Sequence, residues 1–346
     1  MKISIGMNLQ PGPWGGGNQF GHALVDHLRA LGHTVVFDLN AADLDIILLT
    51  EPRATLKISA YNDQDILHYL HKVNADVVVV HRINECDERK GTTGVNARLI
   101  EANRCADHTV FVSSWLRDLF LAQGIGSRAT SVILNGSDRA IFNADGYRPW
   151  EGSGPLRLVT HHWGANWLKG FDIYQRLDEM LGTDAVRERF AFTYIGNLPD
   201  GFTFHNTTYL PPKHGPELAA ALRDNHVYLT ASQNEPGGNH QNEGACCGLP
   251  LIYRESGCMP EYCAGFGISY TAETFEEALD EMAATYATWA VRMPDYPRTA
   301  DRTAAGYAAL FDDLLARREA IVAARGLPRP SWWDRTRHQI KRALPR

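Results

Sequence analysis

The sequence has no unbroken apolar run of the roughly 20 residues that a helix needs to cross a bilayer, so no membrane span is expected. It has no pair of CxxC spacings either. Its six cysteines, Cys86, Cys105, Cys246, Cys247, Cys258 and Cys263, lie in or beside apolar runs, which reads as buried reduced thiols rather than a metal cage. Positive charge is not in excess: a formal net charge of −6 excludes the broad basic surface that would wrap a polyphosphate backbone, so nucleic acid is not an expected partner. The chain opens on Met1-Lys2-Ile3-Ser4-Ile5-Gly6, which reads as a first strand and not as a signal core, so a cytoplasmic location is expected.

What is present is grammar for two α/β cores, for which 346 residues with 44% hydrophobic side chains suffice. Strand-like runs at 2–7, 34–38 and 45–50 bracket a helical segment from about Asn18 to Leu31, where Phe20, Leu24, Leu28 and Leu31 recur at helical spacing and Gly32 follows as a C-cap. The unalternating valines of 75–80 read as a strand buried on both faces. Further strands are expected at 108–112 and 131–134, with a helix starting near Ser113 or Ser114 between them. The stretch 143–155 turns to Asp, Gly, Pro and Ser, which places a domain boundary there: 1–148, then 149–326, with a tail at 327–346 that either packs back on the first domain or lies at a membrane. A second series follows, with strands at 156–160, 192–195, 226–230, 251–254 and 268–270 and a helix over 171–181. Beyond Phe275 the chain is helical, and Tyr307, Leu310, Phe311, Leu314 and Leu315 form an apolar stripe.

The densest chemistry follows the strand at 226–230: Glu235-Pro236-Gly237-Gly238-Asn239-His240-Gln241-Asn242-Glu243, two carboxylates bracketing seven residues. A Gly-rich turn between a strand and a helix aims backbone N–H groups at one spot and suits a phosphate or a polar sugar. A second Gly-rich loop, Pro11 to Asn18 with Gly15, Gly16 and Gly17, joins the first strand to its helix and matches neither the dinucleotide fingerprint nor the phosphate loop. His81 to Lys90 is the remaining polar concentration, at the C-terminal end of the valine strand, where open parallel sheets bind ligands.

The Glu-x7-Glu segment resembles that of the retaining glycosyltransferases of family 4. Asn135-Gly136-Ser137-Asp138 with Phe142, Lys169-Gly170, Gly248-Leu249-Pro250, Glu255-Ser256-Gly257 and Met259-Pro260-Glu261 resemble other segments of that family, in matching order. The resemblance implies a GT-B fold, two Rossmann-like domains with mostly parallel sheets facing a central cleft. It implies that Glu235 lies against a donor sugar, that Glu243 accepts hydrogen bonds from ribose hydroxyls, and that amides around Gly237, Gly238, Asn239 and His240 hold sugar hydroxyls or the diphosphate. Lys169 would neutralise the leaving diphosphate, the loop at Gly15 to Gly17 would face the phosphates, and His81 would contact the reacting sugar. One position departs. Trp163 stands six residues before Lys169, where the family has an arginine, so either His162, an arginine from elsewhere, or stacking by Trp163 takes that place. Glu85, Asp87 and Arg89 are acceptor-side candidates.

The expected activity is transfer of a sugar from a nucleoside-diphosphate sugar to a hydroxyl of a glycan or lipid-linked acceptor, with retention, in glycan, glycolipid or cell-surface polysaccharide synthesis. Other enzymes of the fold, such as a nucleotide-sugar epimerase or a sugar phosphorylase, and a non-catalytic sugar-binding protein are the alternatives. No cofactor or metal is expected: no Asp-x-Asp stands beside the donor motif, and Asp43 and Asp45, which have that spacing, precede an early strand. From Arg325 onward the tail carries seven Lys or Arg against one Asp, with Trp332, Trp333, Ile340 and Leu344. That composition fits either a basic amphipathic helix at the inner membrane face or a helix packed on the first domain.

Overall fold

Each β-rich run of the sequence becomes a strand in the computed structural model, which describes residues 1–12, 15–126, 129–331 and 334. The chain forms two compact units, one from residues 1–87, 92–133 and 303 onward, the other from 88–91 and 134–302.

In the first unit, β1 (Lys2–Ile5), α1 (Gly16–Ala30), β2 (Thr34–Val36), β3 (Ile46–Leu49), α2 (Asp63–Lys72), β4 (Val78–Ile83), α3 (Val95–Ala102), β5 (His108–Phe111), α4 (Ser114–Ala122) and β6 (Thr130–Val132) alternate. The strands pair in parallel in the order β2-β1-β3-β4-β5-β6. All six residues of β4 are buried, as a strand covered on both faces requires. The helix ends follow their local chemistry. Ser113 caps α4 by accepting from Leu116 N, and Gly32 takes the left-handed conformation after α1.

The second unit holds β7 (Leu156–His162), α5 (Phe171–Met180), α6 (Asp184–Arg187), β8 (Phe190–Gly196), β9 (Thr208–Leu210), α7 (Gly215–Arg223), β10 (Val227–Thr230), α8 (His240–Cys246), β11 (Leu251–Arg254), α9 (Met259–Cys263), β12 (Gly267–Tyr270) and α10 (Phe275–Ala290). Its sheet is again wholly parallel, in the order β12-β11-β10-β7-β8-β9. One face packs on Phe171, Tyr174 and Leu177 of α5, the other on Ala245 of α8 and Met259 of α9.

The break between the units falls at 133/134, earlier than the Gly- and Pro-rich stretch at 143–155. That stretch belongs to the second unit because its aromatics are bound there. Phe142 is buried in its core, Tyr147 Oη donates to His226 O at 3.0 Å, and the Trp150 ring meets Tyr286 at 5.8 Å. The return to the first unit also starts sooner than residue 327. From Thr303, α11 (Ala300–Ala316) sets Tyr307, Phe311 and Leu314 into the first core, and α12 (Arg318–Arg325) follows. Arg325 ties α12 down: it pairs with Asp107 and donates to the carbonyls of Ala75 at 2.8 Å and Val77 at 2.6 Å. Trp332, Trp333, Ile340 and Leu344 lie outside the described residues. Among the described residues, no helix is long and apolar enough to cross a membrane.

Candidate functional site

The second sheet reverses its order between β7 and β10, since β8 and β9 extend from one side of β7 while β10 to β12 extend from the other. Segments leaving the C-terminal ends of two such strands run apart and leave a crevice, the usual place for a ligand in an open parallel sheet. Both sequence signals of this unit stand there: His161-His162 ends β7, and the Glu235 turn follows β10.

Side chains alternate across a strand, so the two histidines serve opposite faces. His162 Nε2 meets Tyr174 Oη of α5 at 2.8 Å. His161 faces α8, where its Nε2 lies 2.6 Å from Glu243 Oε2. With the Tyr228 hydroxyl 3.0 Å from His161 Nδ1, the imidazole takes a proton bond on one nitrogen and donates from the other to the carboxylate. Glu243 is thus oriented by a Tyr228–His161 relay from β10 and β7.

Lys169 closes a short 3₁₀ turn, Trp167–Lys169, whose start is capped by Asn166 accepting from Leu168 N. Gln233 N donates to Leu168 O at 2.8 Å and so binds this turn to the segment after β10. The result is an ion pair between a half-buried lysine and a buried carboxylate, Lys169 Nζ to Glu235 Oε2 at 2.5 Å. Asn234, just before Glu235, is the one non-glycine residue with positive φ among the described residues, at 51°, a conformation asparagine tolerates. Its N–H is held by Ser256 Oγ at 2.9 Å, and Gly257 lies so close that a Cβ there would meet Glu235 N and O at 2.5 Å.

The Gly237-Gly238 turn is clamped through its carbonyls. Asn135 Nδ2 donates to Gly237 O at 2.6 Å, and Gln241 Nε2 donates to Gly238 O at 2.7 Å. Among the described residues, the N–H groups of Gly237, Asn239 and His240 have no acceptor, whereas that of Gly238 faces the buried Cys258 thiol. Three donors are therefore available at the turn to a ligand's oxygens.

Charge at this site is uneven. Burial by itself would raise the Glu235 carboxyl, but Lys169, then Arg89 and His240, outweigh it and hold the group well below the usual carboxylate range. Burial pushes His162 well below its ordinary value, aided by His240 and Lys169, and it does the same to His240, aided by Lys169. Both imidazoles are neutral near pH 7.

The expected site residues are thus sorted. Lys169, Glu235, Gly237, Gly238, Asn239, His240 and Glu243 gather at the crevice of the second unit. His162 is not a replacement cation, because it is buried and neutral, and Trp163 is not a packed strand end, because 59% of it is exposed. His81 does not line a surface. It is wholly buried in the first unit, with Nδ1 2.9 Å from Asn103 Oδ1 and Nε2 buried without a hydrogen-bond partner among the described residues, and burial drives it down to about 4. Asp87 is a helix cap: its carboxylate accepts from Val95 N at 3.1 Å and Asn96 N at 2.9 Å, at the start of α3. Glu85 remains with the first unit, but Arg89 belongs to the second. Gly15, Gly16 and Gly17 stand at the start of α1 in the first unit, where Asn18 pins the loop by bonding both Gln10 N and Gln10 O, at 2.9 and 2.8 Å; Pro13 and Trp14 lie outside the described residues. All six cysteines are free and buried. His161 and Tyr228 were not among the residues singled out, although the double histidine at a strand end next to the donor strand is a visible signal.

No known protein family matches this chain, and no curated protein matches it. Solved structures do. A glycosyltransferase from Rickettsia africae is 12% identical, with 91% of this chain and 98% of that one covered and a TM-score of 0.64. An E. coli structure described as trehalose-6-phosphate bound with UDP-2-fluoro glucose is 10% identical, covering 90% of this chain and 99% of that one, with a TM-score of 0.62. HepE from Anabaena, solved in complex with UDP-glucose, is 13% identical over 92% of this chain and 99% of that one, with a TM-score of 0.58. At such identities the likeness establishes the fold class, α/β with two Rossmann-like units of the GT-B type, and nothing finer.

Proposed function

We propose that the second unit binds a nucleoside-diphosphate sugar and that the protein transfers the sugar, with retention, to a hydroxyl of a glycan or lipid-linked acceptor. The observation that carries this reading is the Lys169–Glu235 pair beside a clamped glycine turn at the reversal between β7 and β10. Two of the solved structures of similar fold were determined with a UDP-sugar, which is consistent with it.

In this reading Glu243, fixed by His161, accepts from the ribose hydroxyls. The N–H groups of Gly237, Asn239 and His240 and the Lys169 ammonium stabilise the diphosphate as negative charge builds on it. Preset donors of this kind act where charge develops and need no reorganisation during the step. The C–O bond to the departing phosphate breaks as the acceptor oxygen enters on the same face of the sugar, and the phosphate oxygen takes the acceptor's proton. The chain's task is to position both partners and to offset the separating charge. No metal is called on, since cationic side chains and amides carry the neutralisation.

The test is a panel of UDP-, GDP-, ADP- and dTDP-sugars, screened first for thermal stabilisation and then, with candidate acceptors, by NMR of the anomeric proton in the product. Release of nucleoside diphosphate that depends on acceptor, with the donor's anomeric configuration kept, is expected. A donor converted with no acceptor present would point instead to an epimerase, and inversion would sink the proposed chemistry.

A further inference from the structure

Gln241 is the second residue of α8, between the two carboxylates of the site, and it is fully buried. Its amide nitrogen donates to Gly238 O at 2.7 Å. That contact settles which end of the amide faces the turn, since Oε1 in the same place would meet another acceptor. Oε1 is then left buried with no hydrogen-bond partner among the described residues. A buried acceptor without a donor costs stability, and an apolar side chain of the same length would carry no such cost. What the apolar side chain would lack is the contact with Gly238 O.

That contact sets the direction of an N–H group. In a trans peptide the C=O of one residue and the N–H of the next point opposite ways, and no peptide bond is cis among the described residues. Two consecutive peptides of the turn show the effect. Asn135 Nδ2 holds Gly237 O at 2.6 Å, and on the other side the Gly238 N–H faces the Cys258 thiol, so that donor is used within the protein. Gln241 holds Gly238 O, and on the other side the Asn239 N–H has no acceptor among the described residues. Asn242 Nδ2 also reaches Gly238 O, but at 3.5 Å, and Asn242 is engaged by Tyr296 Oη at 2.6 Å. Nor can a stiffer residue replace the glycine, because a Cβ at Gly238 would meet the His240 ring at 2.8 Å and Glu235 Cγ at 3.1 Å. With no side chain at 238 to restrain the backbone, the Gly238–Asn239 peptide depends on Gln241 for its orientation.

We propose that Gln241 is a positioning residue for the transfer: by holding the Gly238 carbonyl it keeps the Asn239 N–H turned toward the phosphate oxygen on which charge builds as the sugar departs. The proposal rests on the reading of the pocket as a nucleoside-diphosphate-sugar site. Being fully buried, Gln241 acts through that peptide and not by touching substrate. A donor set in advance serves the transition state more than the bound ground state, so its loss falls on kcat.

The experiment uses the full chain and follows acceptor-dependent release of nucleoside diphosphate from whichever of the UDP-, GDP-, ADP- and dTDP-sugars the wild type accepts. Gln241→Met keeps the length of the side chain and removes both the donor and the unpaired acceptor. It should denature at the wild-type midpoint or above it, while kcat falls about ten-fold to a hundred-fold and the donor KM changes by less than about three-fold. In Gln241→His the imidazole Nε2 reaches about as far as the lost amide nitrogen, so part of the kcat should return. A Met variant that fails to fold, that turns over at the wild-type rate, or whose loss lies in KM alone makes Gln241 a structural residue and overturns the assignment. A His variant no faster than the Met variant overturns it too. Wild-type turnover in these cases leaves the pocket's function standing. If the wild type releases no nucleoside diphosphate from any of these donors, the reading of the pocket falls and takes this assignment with it.

Discussion

Lys169 Nζ and Glu235 Oε2 are 2.5 Å apart, the ammonium half-buried and the carboxylate buried, and they arrive from segments that follow different strands of one sheet. Two charges removed from water repay their desolvation only when both are present, so this contact couples the order of the crevice to its chemistry.

Lys169→Ala leaves the Glu235 carboxylate buried without its nearest counter-charge. The expected stability loss is about 3 kcal/mol, read by chemical denaturation, and Lys169→Met combined with Glu235→Gln should recover most of it. Turnover should fall by about a hundred-fold or more in both variants, because neither restores the cation facing the leaving group. Wild-type turnover in Lys169→Ala would remove the lysine from the reaction.

His161 acts through Glu243 and is a positioning residue. His161→Ala strips the carboxylate of its 2.6 Å donor and should raise the donor KM by about ten-fold while changing kcat little, the pattern of lost uniform binding. Gln at 161 keeps an N–H donor and should restore part of the affinity. A fall in kcat with KM unchanged would place His161 in the chemical step instead.

Gly257 and Gly265 both have positive φ, at 59° and 86°, but only the first abuts the site. A Cβ on Gly257 would sit 2.5 Å from the Glu235 backbone, whereas nothing lies within 4 Å at Gly265. Gly265→Ala should cost about 1 kcal/mol of backbone strain. Gly257→Ala should cost about 3 kcal/mol and abolish nucleotide-induced stabilisation, because the turn bearing Glu235 has to shift. Equal melting temperatures for the two variants would contradict this placement of the turn.

Acid should weaken the fold well before carboxylates titrate. Burial lowers His81 and His226 to about 4 and holds His162 and His240 well below their ordinary value, so in each case the unfolded chain takes up a proton first. Stability is then full above about pH 7 and lost as pH falls from 6.5 toward 4, with His81 alone accounting for about 3 kcal/mol. Glu235 acts in the same direction at lower pH: its folded value is depressed, so its contribution is present above the unfolded value near 4.3 and lost below it. Melting temperatures from pH 7.5 to 4.5 should drop steadily, and His81→Asn should flatten the slope. A level profile down to pH 5 would show the histidines to be solvated.

Much of this arrangement was legible in the sequence, for a physical reason. The Glu235 turn, Lys169-Gly170 and Asn135-Gly136 are continuous segments whose residue types allow few backbone roles, and they meet because the βα repeat brings strand ends to one edge. The double histidine at 161–162 is visible in the sequence, but the role of His161 is not, because it depends on which face of β7 the side chain points to and on the packing of α8 there. Arg89 follows β4 closely in the chain, yet residues 88–91 group with the second unit, which chain position alone does not show. The element β9 spans Thr208–Leu210, too short for a period to show. The capping box of Asn62 and Asp65 that starts α2 was present in the sequence but lay outside the runs read for periodicity.

The account is tested most directly by a crystal structure of the protein with the best-binding nucleoside diphosphate bound. It predicts diphosphate oxygens within about 3.2 Å of Lys169 Nζ and of the N–H groups at 237, 239 and 240, with the ribose hydroxyls on Glu243. Nucleotide bound away from the β7–β10 crevice, or in it with the diphosphate turned from Lys169, would contradict it.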